Sequence, residues 1–314
     1  MKQPTTLALF LALGFSAWAG PKTMIVPDAP PVSDEEPFAD ARRPVTNPTL
    51  FDLALPTTKL HFIFMNHQFP DQLTLANGAR VPFGGDLQLY ALQFEYAFNE
   101  RLSLVALKDG FVDFSPDSTF TPDEGFANVG AGLKYAFLYD PEDEFVWSVT
   151  AAYEVPIGSE EVFQGEGDGN LILTTQALKL YGDWQFGGAL GLQLPLDDSF
   201  STQGFASGQI SYGFNRWFMP FVEANVFTVL SEGDGGTRFD TQVGGAVPAV
   251  APSEGADLLN FGASNSELYA TIGFGVQSRL TDNIVAGIAY EIPLTDEEDN
   301  ITADRLTFDI SYTF

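Results

Sequence analysis

Hydrophobic and polar residues alternate along most of this chain, and the alternation is clearest in its last ten residues, RLTFDISYTF. The apolar residues of this segment share one face of an extended strand: Leu306, Phe308, Ile310, Tyr312 and Phe314. Successive side chains of a strand point to opposite faces of a sheet, so this period of two predicts a β-strand with one apolar face and one polar face. The same period recurs upstream, for example over residues 90–96 and 268–279.

Turn residues divide the chain after residue 57 into twelve such segments. They are predicted at residues 58–68, 86–98, 101–113, 126–139, 144–154, 171–181, 184–194, 203–214, 217–230, 266–280, 284–294 and 303–314. Short turns and long loops alternate between them, as in barrels of bacterial outer membranes. The sequence therefore predicts an all-β fold, a transmembrane antiparallel up-and-down β-barrel of about 12 strands in which the last strand closes on the first. A soluble secreted β-sandwich also alternates and stays open as an alternative.

The chain before the first predicted strand has two parts. Residues 1–19 have the features of a secretory signal peptide: Lys2, then the apolar stretch Leu7 to Phe15, then a small-residue cleavage site at residues 17–19. That apolar stretch is far shorter than the roughly 20 residues of a spanning helix. Residues 20–57, rich in Pro, Asp and Glu, are interpreted as a flexible periplasmic arm before a barrel at 58–314. Whether the arm enters the barrel stays open.

Charge and composition limit the partners. A formal net charge of −28 disfavours nucleic acid, whose phosphates need Lys and Arg. The chain has no cysteine, which excludes disulfides and thiolate metal ligands. The acidic residues concentrate in predicted long loops, which fits either a vestibule that attracts cations or a solvated surface. The acidic stretches at 165–170 and 296–300 lack the spacing of a calcium loop, so we predict no metal site and no cofactor.

Aromatic residues gather beside the predicted short turns. They are Phe98, Tyr139, Trp147, Trp184, Phe214, Trp217, Tyr312 and Phe314. Their shared position is typical of an interfacial girdle at one rim of a membrane barrel.

Ionisable residues within the predicted strands mostly fall on the polar face, which would line the lumen. The lumen-lining candidates are His61, His67, Glu95, Lys134, Glu154, Lys179, Glu223, Arg279, Glu291 and Asp309. Buried charges need partners or water, so this mixed-sign set predicts either a polar channel lining or a lumen closed by salt bridges.

Catalysis is not predicted. A Ser-His arrangement would need one of the only two histidines, His61 and His67, which lie on one strand face roughly 20 Å apart at strand rise. That separation also prevents them from binding one metal ion. The chain contains neither a G-x-S-x-G nor an H-E-x-x-H motif.

Several segments resemble known outer-membrane proteins. The ending RLTFDISYTF resembles the C-terminal signal that Gram-negative barrels present to the barrel-assembly machinery, which implies that Ile310, Tyr312 and Phe314 form the recognised face. The stretches LQFEYAFNERLSL (92–104), AGLKYAFLYD (131–140) and YEVPIG (153–158) resemble the transporter-like barrels grouped with the meta-pathway of phenol degradation. That resemblance implies uptake of hydrophobic or aromatic compounds.

The expected function is therefore passive transport. A barrel of twelve strands lies between small barrels filled by side chains and large water-filled porins, so a narrow or closed pore for a small solute is predicted. The chain is expected in the outer membrane, in contact with its lipid, with both termini periplasmic and the long loops extracellular. The alternative is a structural or surface-interaction barrel that acts through its long loops, above all residues 231–265.

Overall fold

A computed structural model of the chain describes residues 37–74, 80–165, 167–197, 201–231, 238–240, 242, 246–248 and 268–314. Twelve long antiparallel strands dominate it. They are β1 (Lys59–Gln68), β2 (Gly85–Asn99), β3 (Leu102–Lys108), β4 (Val129–Asp140), β5 (Phe145–Val155), β6 (Asn170–Tyr181), β7 (Trp184–Pro195), β8 (Thr202–Tyr212), β9 (Met219–Ser231), β10 (Leu268–Arg279), β11 (Ile284–Pro293) and β12 (Asp304–Thr313). The predicted signal peptide, residues 20–36 of the predicted arm and most of the loop 231–265 lie outside the described residues.

Each long strand pairs with the next, and the last pairs with the first. β12 runs antiparallel to β1 from Lys59 opposite Thr313 to Gln68 opposite Asp304, and β1 also pairs with β2. On its other side β12 pairs with β11. The twelve long strands therefore form a closed ring, in which each strand has a partner on both sides. This confirms the predicted twelve-stranded barrel and its closure through the final segment.

The two faces of the sheet differ as the alternation predicts. Along β12 the apolar side chains point outward, with Phe308 37% exposed, whereas Asp309 points inward and is 3% exposed. The outward faces of the other strands carry large apolar side chains in the same way, among them Leu92, Leu190 and Phe274. The barrel thus has an apolar outer belt and an inner face rich in polar groups, which is the pattern expected of a barrel in lipid.

The wall is interrupted beside β3. That strand stops at Lys108 and continues after Asp109 and Gly110 as a short strand, Phe111–Pro116, which pairs with the far part of β2 and with Asp123–Phe126. Gly110 has φ +133°, a conformation that disfavours a side chain. The Asp109 carboxylate accepts a hydrogen bond from the Leu92 amide at 3.0 Å, in place of a backbone hydrogen bond between the strands. The single strand predicted at 101–113 is therefore two strands with a break between them.

Smaller elements lie in the connections. Two short hairpins are formed by Gln72–Thr74 with Arg80–Pro82 and by Arg238–Asp240 with Ala246–Pro248. One turn of 3₁₀ helix covers Glu160–Val162, and one turn of α-helix covers Glu297–Asn300. Among the described residues, no helix is both long and apolar enough to cross a membrane.

Residues 37–58, here named the lumenal segment, lie inside the barrel, which differs from the flexible arm expected for residues 20–57. Most of the segment is buried, including Thr46 at 0% and Phe51 at 1% exposure. Its backbone and side chains bond to inward groups of β2, β4, β7, β8 and β9. Proline and charge indicated a solvated arm because the sequence does not show that the lumen supplies partners for these groups.

The lumenal segment enters and leaves at the same end of the barrel, the end with the short turns. Near its start, the Phe38 amide bonds to Glu144 in the turn after β4, and Arg42 bonds to the carbonyl of Asp183 in the turn after β6. At its other end, Thr58 accepts the amide of the final residue, Phe314. The segment is thus a re-entrant hairpin that runs directly into β1.

Most of the predicted aromatic girdle is exposed beside the short turns, including Phe98, Trp217 and Phe314. Tyr139 is the exception, because a register shift between Ala136 and Leu138 reverses the facing of the residues after it. Tyr139 consequently turns inward and packs on Phe38, with ring centroids 5.5 Å apart.

Candidate functional site

The lumen brings together eight of the ten predicted lining residues as buried side chains. These are His61, His67, Glu95, Lys134, Glu154, Glu223, Glu291 and Asp309. A ninth, Arg279, lies at the short-turn end, where its guanidinium pairs with Asp40 of the lumenal segment at 3.2 Å.

Lys179 does not line the lumen. The inward residues of β6 are the even-numbered ones, such as Leu178 and Leu180, so Lys179 points outward. Its Nζ donates to the Asp143 carbonyl in the turn beside the rim. A cation at the end of a strand can reach the interface, which explains a basic residue on the apolar face.

Five buried charges form the Asp52 cluster, defined as Arg43, Asp52, Lys59, Glu95 and Lys134. The Asp52 carboxylate forms ion pairs with Lys134 Nζ at 2.5 Å, Lys59 Nζ at 3.1 Å and Arg43 Nε at 3.0 Å. Glu95 Oε2 lies 3.1 Å from Lys59 Nζ and 3.0 Å from Lys134 Nζ. Buried ions are tolerated when they are paired in this way, so the cluster joins the lumenal segment to the wall.

The ionisation of Asp52 follows from this environment. Burial alone would raise the pKa of Asp52, but the charges of Lys134, Lys59 and Arg43 outweigh it and hold that pKa well below its ordinary value. Asp52 is therefore an anion at neutral pH, and the wall holds it as one.

Glu223 on β9 is the second attachment point of the lumenal segment. Its carboxylate accepts the amides of Val45 and Thr46 at 3.0 and 2.7 Å, and the Thr46 hydroxyl at 2.6 Å. Gln209 donates to it from β8 at 2.8 Å. Because three donors of the segment converge on this one side chain of the wall, Glu223 fixes the backbone of the segment at Val45 and Thr46.

Other lumenal charges pair within the wall. Lys108 bonds to Glu154 at 2.9 Å, and Arg305 lies 3.5 Å from Glu291. His61 Nε2 lies 2.8 Å from Asp309, and His67 Nε2 lies 2.8 Å from the Ile301 carbonyl. Within the described residues neither histidine is hydrogen-bonded to a serine hydroxyl, and no three His, Asp or Glu side chains could hold a metal ion together.

Sequence reasoning missed five important lumenal residues: Arg43, Asp52, Lys59, Lys108 and Arg305. The strand period could have found Arg305, which shares a face with Asp309, and Lys59, which shares one with His61. Arg43 and Asp52 carried no such signal, because they precede the alternating region.

Apolar side chains form two clusters in the lumen, beside many buried polar residues such as Gln176 and Thr271. Leu50 of the lumenal segment packs in the middle apolar cluster, whose wall members are Val105, Leu107, Ala152, Ile172, Phe205, Phe227 and Tyr269. Toward the long loops lies the outer apolar cluster, which includes Phe69, Phe83, Phe114, Phe120 and Phe163. The lumen therefore has the Asp52 cluster near the short turns, and near the long loops it has aromatic groups together with the ion pairs Lys108–Glu154 and Arg305–Glu291.

Solved structures similar to this chain include an outer membrane channel from Pseudomonas putida F1, with 14% identity, a TM-score of 0.55 and coverage of 82% of this chain and 96% of that chain. The NanC porin has 8% identity, a TM-score of 0.49 and coverage of 82% and 100%. The KdgM porin has 10% identity, a TM-score of 0.43 and coverage of 82% and 99%. No family model and no curated protein matches the chain. The chain thus shares the fold of outer-membrane β-barrel channels.

Proposed function

We propose that this chain is an outer-membrane channel for passive passage of a small solute and that the lumenal segment closes it at rest. The observation that carries the proposal is that the lumen is filled by a separate stretch of chain. A small barrel is filled by side chains of its own wall. Here polar contacts, such as those of Asp52 and Glu223, seat a hairpin that pairs with no barrel strand before residue 59. Such a filling can leave without breaking the barrel.

The apolar clusters support a solute with an apolar body, hydrophobic or aromatic. We also propose that the chain is related to the transporter-like barrels grouped with the meta-pathway of phenol degradation. A path past the lumenal segment would cross the aromatic side chains of the outer cluster and then the middle cluster around Leu50. Apolar surfaces favour apolar solutes over hydrated ones.

A disulfide lock tests the channel. An ideal Cβ at Gly273 on β10 would lie 3.6 Å from the Cβ of Thr46, within the usual disulfide range of about 3.5–4.5 Å. The chain contains no other cysteine, so Thr46→Cys with Gly273→Cys can form one disulfide only. The oxidised protein is expected to show no conductance in planar bilayers and no solute uptake in proteoliposomes. Reduction is expected to restore both to at least the level of the two single variants.

The reduced double variant and the two single variants are the controls for this lock. Equal flux in the oxidised and reduced states would contradict closure by the lumenal segment. No flux in the wild type, with either apolar or polar solutes, would contradict the channel.

Orientation and assembly are part of the proposal. Both described ends of the barrel region lie with the short turns, and the acidic connections lie at the other end, as expected if the termini are periplasmic and the long loops extracellular. The outward side chains Ile310, Tyr312 and Phe314 are proposed as the face that the assembly machinery recognises.

A variant at the last residue tests this recognition. Phe314 is 70% exposed, so Phe314→Ala removes little packing. We expect several-fold less heat-modifiable protein in outer membranes of cells, with unchanged refolding into detergent in vitro. Leu294→Ala, at a residue 62% exposed beyond β11, is the matched control. Equal membrane levels of the Phe314 and Leu294 variants would contradict the assigned role.

A further inference from the structure

The Asp52 cluster divides into groups of the wall and groups of the lumenal segment. Lys59, Lys134 and Glu95 belong to β1, β4 and β2, whereas Asp52 and Arg43 belong to the segment. The wall alone thus holds two ammonium groups against one carboxylate. The segment places the Asp52 carboxylate against both ammonium groups and adds Arg43 as a third cation on the same carboxylate. Because a buried charge without a partner is strongly unfavourable, this part of the wall needs an anion when Asp52 is absent.

The geometry at these ammonium groups suits a carboxylate. Lys134 Nζ contacts one oxygen of Asp52 at 2.5 Å and Lys59 Nζ contacts the other at 3.1 Å, so the wall provides one cation for each oxygen, and Arg43 of the segment also contacts the second oxygen at 3.0 Å. Lys134 is 0% exposed and Lys59 6%, and both are held in place by Glu95. Glu95 is itself fixed by the Ser103 hydroxyl at 2.5 Å. The site is therefore rigid and dry, conditions under which charge recognition is strong.

Apolar surface adjoins the same site. Leu50, two residues before Asp52, fills the middle apolar cluster against Val105 and Leu107. These two wall residues also line a small cavity of about 10 Å³ together with Asp52 and Lys59. The segment thus presents a carboxylate beside an alkyl side chain, and the wall has a matching surface for each.

We propose that Lys59 and Lys134 form a binding site for the carboxylate of the transported solute, a small monocarboxylic acid with an apolar body, and that Asp52 occupies this site at rest. The proposal rests on the proposed channel function and names its solute class. Solute carboxylate and Asp52 exclude each other, since both need the same two ammonium groups. The apolar body of the solute would take the place of Leu50.

Calorimetric titration of the refolded full chain with hexanoate and with hexan-1-ol tests the site, because the two probes share an alkyl chain and differ in charge. Asp52→Asn vacates the ammonium groups, so it should bind hexanoate at least tenfold more tightly than the wild type does, with no change for hexan-1-ol. Adding Lys134→Met to Asp52→Asn leaves Lys59 paired with Glu95 and should weaken hexanoate binding at least tenfold again.

The matched control is Lys108→Met with Glu154→Gln, which removes a buried ion pair of the wall away from Asp52. In the Asp52→Asn background it should leave hexanoate affinity unchanged. Equal affinity of Asp52→Asn for the two probes, or equal hexanoate affinity with and without Lys134→Met, would overturn the site. If Asp52→Asn does not refold, the wild type replaces it. The wild type must then bind hexanoate tenfold more tightly than the double variant Asp52→Asn/Lys134→Met does, and equal affinity overturns the proposal.

Binding and transport are separate measurements here. Hexanoate binding that depends on Lys134, in a protein without flux, would support the site and refute the channel. Flux that is the same for hexanoate and hexan-1-ol in all variants would support the channel and refute the site.

Discussion

At the scale of single residues, the lumen is a set of buried charges whose partners come from distant parts of the sequence. Asp52 forms an ion pair with Lys134, and Glu223 accepts hydrogen bonds from the amides of Val45 and Thr46. The strand period predicts that Glu223 and Lys134 point inward, because facing depends only on position along a strand. It cannot predict their partners, because those lie on a segment without periodicity.

The lowered pKa of Asp52 makes a prediction about pH. Asp52 has a lower pKa in the folded protein than its ordinary value of 3.8. Its contribution to seating the lumenal segment is therefore complete above about pH 4 and is lost as the pH falls toward the lower folded-state value. In planar bilayers, we expect Asp52→Asn to conduct more than the wild type by a constant ratio from pH 7 to about pH 4.5.

Below pH 3.8 that ratio should decrease toward one, since the wild-type carboxyl becomes neutral as well. A ratio that decreases already between pH 7 and 5 would show that Asp52 is not held as an anion by its three cations.

At the scale of elements, alternation predicted eleven of the twelve strands within three residues at each end, but β3 is shorter than predicted and the irregularities within strands were not predicted. The register shift near Ala136 and the break at Asp109 and Gly110 depend on local hydrogen bonds rather than on hydrophobic pattern. Tyr139 was placed on the wrong face for that reason. The prediction for Lys179 was wrong for a different reason. The odd-numbered residues of β6 point outward, and only the charge of Lys179 favoured a place in the lumen.

Close packing of aromatic rings over glycine shapes the wall. Phe221 on β9 lies directly opposite Gly275 on β10, and a Cβ there would collide with the Phe221 ring and the Ile288 carbonyl. Gly275→Ala is therefore expected to lower the free energy of unfolding by about 1–3 kcal/mol, the usual cost of overpacking. Urea unfolding in detergent, followed by tryptophan fluorescence, measures it.

Gly208→Ala is the control for this substitution, since the nearest atom to a Cβ at Gly208 is 3.9 Å away. We expect a change there within about 0.5 kcal/mol, as for ordinary surface substitutions. Similar losses at both glycines would indicate that backbone conformation, and not the aromatic ring, explains the effect.

At the scale of the whole molecule, charge is sorted between inside and outside. The chain has 14 Lys and Arg against 42 Asp and Glu, yet Arg42, Arg43, Lys59, Lys108, Lys134 and Arg305 are all buried. The acidity of the loops could be predicted from the sequence. The burial of the scarce cations could not be predicted, because it depends on which buried carboxylates they pair with in the folded barrel.

The apolar belt makes a prediction about membrane stability. Leu190 lies midway along β7, is 61% exposed and faces outward among other apolar side chains. Leu190→Arg should destabilise the barrel in phospholipid vesicles by about 2–4 kcal/mol, the cost of a guanidinium near the bilayer midplane.

Leu196, just beyond the end of β7 and 57% exposed, provides the comparison. Leu196→Arg should cost only about 0–1 kcal/mol, as near an interface. Denaturant titration of both variants in the same vesicles measures the loss of unfolding free energy at each position. A larger loss at Leu190 than at Leu196 is expected if Leu190 lies in the lipid belt. Equal costs would contradict a lipid belt at the level of Leu190.

The re-entrant course of the lumenal segment separates two kinds of opening. Both of its ends leave at the short-turn end, so the hairpin can withdraw while every wall strand stays paired. Local opening and global unfolding then have different free energies, as in other proteins with sub-global units. Amide hydrogens of residues 37–58 should exchange with solvent deuterium through the smaller opening, well before those of β1, although most of the segment is buried and it adjoins β1 in the chain.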